Sequence, residues 1–290
     1  MMKKTITKEV RFMKLTYLGT AAAEGWPALF CRCEYCKKAL ERGGKNLRTR
    51  SQAMVNDDLL IDFPADSFSH MQQNGLNFSA VKTLLITHSH MDHFSPTDLH
   101  LRSTSYYAHN LSTPNLTLYG NERVMKLLER ERITREEEPN DTGISAVEIE
   151  AYKPFTAGKY RITALPAFHA MNEKAFVYLI EDGEKTLLYL HDTGELFDEV
   201  YEYLAANKVR ADLISYDCTY VALPSGGGHM GLDSCPKVRA RLEAIGVSDE
   251  KTVSVVNHFS HNGKLIHDEL EPAAKEIGFL TSYDGMVVEF

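Results

Sequence analysis

The chain is predicted to be an α/β protein built from two mixed β/α halves, and three observations carry that expectation. Apolar strand-like runs alternate with amphipathic helix-like segments along most of its length. With 290 residues, 43% of them hydrophobic and 25% charged, it can bury one large core or two closely packed ones. Several of the apolar runs end in His or Asp, each a weak signal alone and a strong one as an ordered set.

In chain order, strands are expected at Met13 to Leu18, Leu59 to Asp62, Thr83 to Thr87, Leu116 to Tyr119 and Tyr160 to Leu165. Further strands are expected at Phe176 to Glu181, Thr186 to Leu190, Leu213 to Asp217, Thr252 to Asn257 and Met286 to Phe290. Helical periodicity marks Glu34 to Arg42, Ala65 to Gln73, Glu122 to Arg130, Leu196 to Ala206, Cys235 to Ala244 and His267 to Ile277. A further helix should start at Ser95 as N-cap, with Pro96 at the first helical position and Asp98 at the third. The acidic stretch from Arg135 to Gly143 reads as a solvated loop near the midpoint, so the two halves would meet at about residues 135–145 of a single domain spanning 1–290.

The run Thr87-His88-Ser89-His90-Met91-Asp92-His93 gathers three imidazoles and a carboxylate directly after an apolar strand. That donor set suits zinc, manganese or iron, and its size points to two ions. In an extended segment His88 and His90 project to one side and can hold the same ion. The turn after Met91 would aim Asp92 and His93 at a neighbouring one. Three later apolar segments end in His169, in Asp192 and in His258, which places the remaining ligands at strand ends of the second half.

Cys31, Cys33 and Cys36 gather three of the five cysteines into one short loop, a pattern that asks for a closed structural zinc site with a fourth ligand. His261 is the candidate. It lies three residues beyond His258, and in an extended segment the two imidazoles would face opposite sides and serve different metals. Cys218 and Cys235 are expected to be buried as small hydrophobes. Trp26 and Pro27 either line the pocket or pack beside the cysteine loop.

The His88 motif resembles the signature of the metallo-β-lactamase fold superfamily. With Leu18-Gly19-Thr20 to Cys36, Asp192-Thr193, Asp217-Cys218 and His258-Phe259-Ser260-His261, the chain is similar over nearly its whole length to the PhnP-type phosphodiesterases of the carbon-phosphorus lyase pathway. The resemblance implies an αββα sandwich of two mixed sheets flanked by helices. It implies that His88, His90 and His169 bind one ion, that Asp92, His93 and His258 bind the other, and that Asp192 bridges them. It also implies a separate zinc on three cysteines and one histidine. One departure is Ile61-Asp62-Phe63-Pro64, where the superfamily usually has Asp-x-Gly.

Two divalent ions, manganese or zinc with iron as a further candidate, would activate a bound water as hydroxide and neutralise phosphoryl charge during in-line attack. Such a pair does not protonate the departing alkoxide, so a general acid is expected nearby. Gly226-Gly227-Gly228-His229 offers one on a mobile glycine loop, matching a His in the family's substrate loop. Asp92 and His229 are therefore the expected catalytic residues, and a small cyclic phosphodiester is the expected substrate. The runner-up readings are an RNase Z-type nuclease, a lactone or thioester hydrolase, and a PqqB-type iron oxidoreductase.

A formal net charge of −8 argues against broad contact with nucleic acid. No segment approaches the about 20 apolar residues of a membrane span, and Met1 to Val10 lack the apolar core of a signal peptide. A cytoplasmic enzyme with a small-molecule substrate is expected, with a homodimer left open.

Overall fold

The structure, a computed structural model, describes residues 12–135 and 141–290. The acidic run 136–140 and the N-terminal segment read for a signal peptide lie outside the described residues. Fourteen strands form two sheets of seven. The first sheet contains β1 (Lys14–Gly19), β2 (Gln52–Val55), β3 (Leu59–Ile61), β4 (Thr83–Leu85), β5 (Leu116–Gly120) and β6 (Ile144–Glu148). The second contains β7 (Phe155–Ala157), β8 (Tyr160–Pro166), β9 (Phe176–Glu181), β10 (Thr186–Leu190), β11 (Leu213–Asp217), β12 (Val253–Asn257) and β13 (Leu280–Thr281). The chain then returns to the first sheet as β14 (Met286–Glu289), beside β1. Six α-helices, α1 (Glu34–Arg42), α2 (Ser67–Asn74), α3 (Glu122–Thr134), α4 (Asp198–Ala206), α5 (Cys235–Ala244) and α6 (His267–Glu276), connect them.

The strand orders are β14-β1-β2-β3-β4-β5-β6 and β13-β12-β11-β10-β9-β8-β7. Strands β3 to β6 pair in parallel in one sheet and β10 to β13 in the other; the remaining pairs are antiparallel. Parallel strands buried on both faces read as unbroken apolar runs, and the pleat decides where each side chain goes. In β9, Phe176, Tyr178 and Ile180 enter the core between the sheets while Val177 and Leu179 enter the layer outside. In β3, Leu59 and Ile61 face the same central core and Leu60 the opposite outer layer. Residues of both sheets share that central core, so the sheets pack face to face. Outside them, one layer draws Val200 and Leu204 of α4, Val238 and Leu242 of α5 and Leu270 and Ala274 of α6; the other draws Val124 and Leu128 of α3. The result is an αββα sandwich.

The carboxyl ends of β3, β4, β10, β11 and β12 then converge on one edge of the sandwich, the place where open α/β sheets gather polar residues. Register makes this concrete: Asp217 of β11 pairs with Asn257 of β12, which puts the residues that follow Leu190, Tyr216 and Asn257 side by side.

Four strands escape the sequence pattern. Strand β6 leaves four of its five residues exposed, β13 has two residues, β7 has three, and β2 begins with a buried Gln. The helix expected after Ser95 is a 3-10 segment, Pro96–Arg102; the Ser95 side chain makes no capping bond among the described residues, and the Ser95 N–H donates to Phe63 O at 2.7 Å. Pro96 does sit at the expected start. Among the described residues no helix is long and apolar enough to cross a membrane.

Candidate metal centre

The loop after β4 leaves the sheet at Leu85, so the His88 motif is a sequence of bends and turns rather than a strand continuation. The structure nonetheless brings His88, His90 and His169 together, each offering a nitrogen within 4.8 Å of the others. Asp92, His93, Asp192 and His258 form a second such group, all four buried. The Asp192 carboxylate lies between the two groups. Its Oδ2 is 2.6 Å from His93 Nε2 on one side and 3.4 Å from His88 Nε2 and 3.9 Å from His169 Nε2 on the other. Asp192 takes a left-handed backbone conformation, φ 49°, as the chain leaves β10, and this turns its side chain into the cluster.

Among the described residues His88 Nε2 and Asp192 Oδ1 are buried without a well-aligned hydrogen-bond partner. A buried orphan of this kind costs free energy unless something else satisfies it. Imidazole nitrogens and carboxylate oxygens converging on two adjacent points fit a pair of divalent cations, and the orphaned atoms are the ones such cations would satisfy.

The second group is oriented from behind by residues that do not face the centre. His93 Nδ1 is 2.7 Å from Asp62 Oδ2, and Asp62 in turn accepts the Thr87 N–H at 2.8 Å and the Thr87 hydroxyl at 2.9 Å. Nδ1 therefore carries the proton and Nε2 is left for the centre. His258 Nδ1 meets Thr219 Oγ1 at 2.8 Å, while its Nε2 lies 3.3 Å from His93 Nε2. Asp217 ties this side together: it accepts N–H bonds from Thr219, Met230 and Asp192 and the Thr219 hydroxyl. Single strand-end aspartates looked unremarkable in the sequence. Asp62 and Asp217 carry the same strand-end signal as Asp192 but lack a neighbouring motif.

Electrostatics sort the ligands. Burial, reinforced by neighbouring His93, holds the His88 imidazole well below the ordinary histidine range, and burial lowers His169 as well. Burial opposes charge on Asp92 and Asp192, but the surrounding imidazoles outweigh it and hold both well below the usual carboxylate range. Burial likewise works against a proton on His93 and His258. The carboxylates of Asp92, Asp192 and Asp62 overcome it for His93, and Asp192, Asp217 and Asp92 raise His258 to about 10. In metal-stripped protein both rings are thus protonated at neutral pH, and a cation must displace those protons. Affinity should rise with pH up to about 10, with proton release visible by calorimetry in buffers of different ionisation enthalpy. The displaced proton on His258 also stabilises the stripped fold below its ordinary 6.5, a contribution lost as pH rises through about 10. Binding heats independent of buffer would contradict this.

His229 stands beside two buried carboxylates. Its Nδ1 is 3.3 Å from both Asp192 Oδ1 and Asp217 Oδ2, and its side chain is 24% exposed. Burial lowers its proton affinity, but the two carboxylates outweigh that and raise it. Gly228, just before it, serves close approach: a Cβ there would stand 2.9 Å from the His169 Cα.

Cys31, Cys33, Cys36 and His261 bring their sulfur and nitrogen atoms within 4.8 Å of one another. Cys33 Sγ is 3.5 Å and Cys31 Sγ 3.8 Å from His261 Nδ1. Cys33 is the N-cap of α1 and accepts the Cys36 N–H. Burial raises its thiol, but that N–H and His261 outweigh it and bring it to about 6, thiolate at neutral pH. The segment from His258 to His261 is not the extended one that spacing alone predicts. His258 has φ 65° and His261 opens a 3-10 turn, and this bend points the two rings to separate clusters. Trp26 is buried with its indole N–H on Tyr35 O, so it packs beneath the cysteine loop. Cys218 and Cys235 are fully buried. His191, fully buried beside the centre, is held by Ser215 and Asn257.

Comparison with known proteins gives a match of residues 59–251 to the model of the beta-lactamase superfamily domain. No curated protein matches the chain. Among solved structures, a diphosphatase from the PhnP family superposes with a TM-score of 0.72 at 21% identity, covering 96% of this chain and 98% of that one. Zinc-bound PqqB from Methylobacterium extorquens gives 0.71 at 20%, covering 96% and 100%. Human tRNase Z, short form, gives 0.63 at 17%, covering 95% and 98%. At these identities the likeness is one of fold.

Proposed function

The chain belongs to the beta-lactamase superfamily domain family, and from that premise we propose a metal-dependent phosphodiesterase acting on a small, cyclic phosphodiester. The observation that carries the reading is Asp192, a buried anion between two ligand groups with His229 on its open side. Two of the solved structures with this fold are named as a diphosphatase of the PhnP family and a tRNase Z, which supports phosphate chemistry. The net charge of −8 supports a small substrate over a polynucleotide.

His88, His90 and His169 would hold one divalent cation, Asp92, His93 and His258 a second, and Asp192 both. Cations held there supply Lewis acidity, lowering the pKa of a coordinated water and neutralising charge on a phosphoryl oxygen. Manganese, zinc and iron all suit the donors. Around them the chain does the positioning: Asp62 and Thr87 fix the His93 ring, and Thr219 fixes His258. His229, held up in proton affinity by Asp217 and Asp192, donates its proton to the departing alkoxide oxygen. Cys31, Cys33, Cys36 and His261 would hold a structural zinc.

The test is a substrate panel. Protein depleted of metal and reconstituted with manganese, zinc or iron is assayed on bis-aryl phosphates, ribose cyclic phosphates, cyclic nucleotides, lactones and β-lactams. Phosphodiester turnover is expected, and its absence with every metal would sink the reading. His229→Ala should keep its metal content while losing about 10²–10⁴-fold in rate on alkyl esters with poor leaving groups. Activated aryl esters should lose much less, and equal slowing of both would remove His229 as the acid.

A further inference from the structure

The ligands of the three-histidine group sit on two loops, 86–95 and 167–175, neither of which is a strand or a helix where it carries His88, His90 and His169. Loops need fixing from outside if three rings are to meet. At their base Phe176 N–H donates to Thr87 O at 2.9 Å. Near the tips His169 Nε2 meets His90 Nδ1 at 3.2 Å, and from outside the rings a carboxylate ties the loops together. Glu173 Oε2 accepts the Ser89 N–H at 3.0 Å, and Oε1 accepts the Ser89 hydroxyl at 2.6 Å. Ser89 is the residue between His88 and His90, and Glu173 lies four residues beyond His169.

The carboxylate is itself anchored. Asn121, buried at the start of α3, donates from Nδ2 to Glu173 Oε2 at 2.9 Å and to Lys174 O at 2.8 Å. Its Oδ1 accepts the Arg123 and Val124 N–H groups and caps the helix. A rigid helix end, a carboxylate and the ligand loop thus form one chain of charge-assisted hydrogen bonds. The second ligand group does not use it: His93 rests on Asp62 and His258 on Thr219. The cysteine site rests on α1.

We propose that Glu173 is a positioning residue for one cation alone, the one held by His88, His90 and His169. This rests on the metal reading given above. No contact places Glu173 in the centre itself; it sets where three rings point by holding Ser89 against helix α3. Replacing such an outer partner typically costs about 10–100-fold in metal affinity.

Wild-type and variant proteins, stripped with chelator, are titrated with zinc against a competing chelator, which resolves the affinity of each ion. Glu173→Ala should weaken one of the three ions about 10–100-fold and leave the other two and the thermal midpoint of the stripped protein unchanged. Glu173→Gln keeps the shape but offers one acceptor oxygen to three donors, so the same ion should weaken by less. Ser89→Ala combined with Glu173→Ala should weaken it no more than Glu173→Ala does, because both changes break one link. Unchanged affinities in Glu173→Ala would overturn the proposal, as would parallel weakening of all three ions with a lower thermal midpoint. A wild-type protein that binds zinc only at its cysteines would overturn the metal reading and this proposal with it, a result visible in the wild-type titration alone.

Discussion

Asp192→Asn is expected to lower kcat/KM on a phosphodiester by on the order of 10³-fold, equivalent to about 4 kcal/mol of transition-state stabilisation, the scale of a catalytic cation's contribution. The substitution keeps volume and shape and removes one buried negative charge. That charge stands 2.6 Å from His93 Nε2, 3.2 Å from His258 Nδ1 and 3.4 Å from His88 Nε2. No other carboxylate reaches both ligand groups at such distances among the described residues, so nothing replaces it as a shared donor. Metal analysis after gel filtration should show fewer ions per chain, with the cysteine-bound zinc retained. Full metal content together with activity within tenfold of wild type would remove Asp192 from its bridging role.

Cys33→Ser should cost the fold about 4 kcal/mol, among the largest effects of a single change, because it removes a thiolate from the proposed zinc site while serine, itself a favoured N-cap, still caps α1. The serine hydroxyl keeps its proton where the Cys33 thiol, brought to about 6, gives its proton up. A thermal midpoint lower by on the order of 10 °C is expected, with zinc content reduced by one ion per chain. The damage should extend to the active-site ions, since His261 and His258 are three residues apart and share one bend. A Cys33→Ser protein with full zinc content and an unchanged midpoint would refute the structural site.

Much of this molecule is legible in its sequence because its chemistry is written at the ends of its strands. Parallel strands buried on both faces appear as apolar runs, and the residue that follows each run is thrown onto the same edge of the sandwich. His169, Asp192 and His258 could be picked out on that ground before any contact was known. Asp62 and Asp217 obey the same rule and were not given roles, because an aspartate that orients an imidazole is recognisable only by the bond it makes. Thr87 and Thr219 are hidden for the same reason. Glu173 has no signal at all in one sequence: it acts on Ser89, 84 residues away.

The missed strands have a different cause. Edge strand β6 buries so little that its side chains carry no alternation, and β13 is too short to carry any. The spacing argument for His258 and His261 reached the right destinations through the wrong backbone. A positive φ at His258 and a 3-10 turn at His261 separate the rings, where an extended segment had been expected. The helix expected after Ser95 is instead a 3-10 segment, Pro96–Arg102.

The dinuclear centre itself is tested most directly by anomalous diffraction from crystals of the metal-loaded protein, recorded on either side of the metal's absorption edge. Two peaks about 3.5–4 Å apart are expected on the two sides of the Asp192 carboxylate, with a third among Cys31, Cys33, Cys36 and His261. A single peak among the histidines, or a pair that does not share Asp192, would contradict the two-metal account.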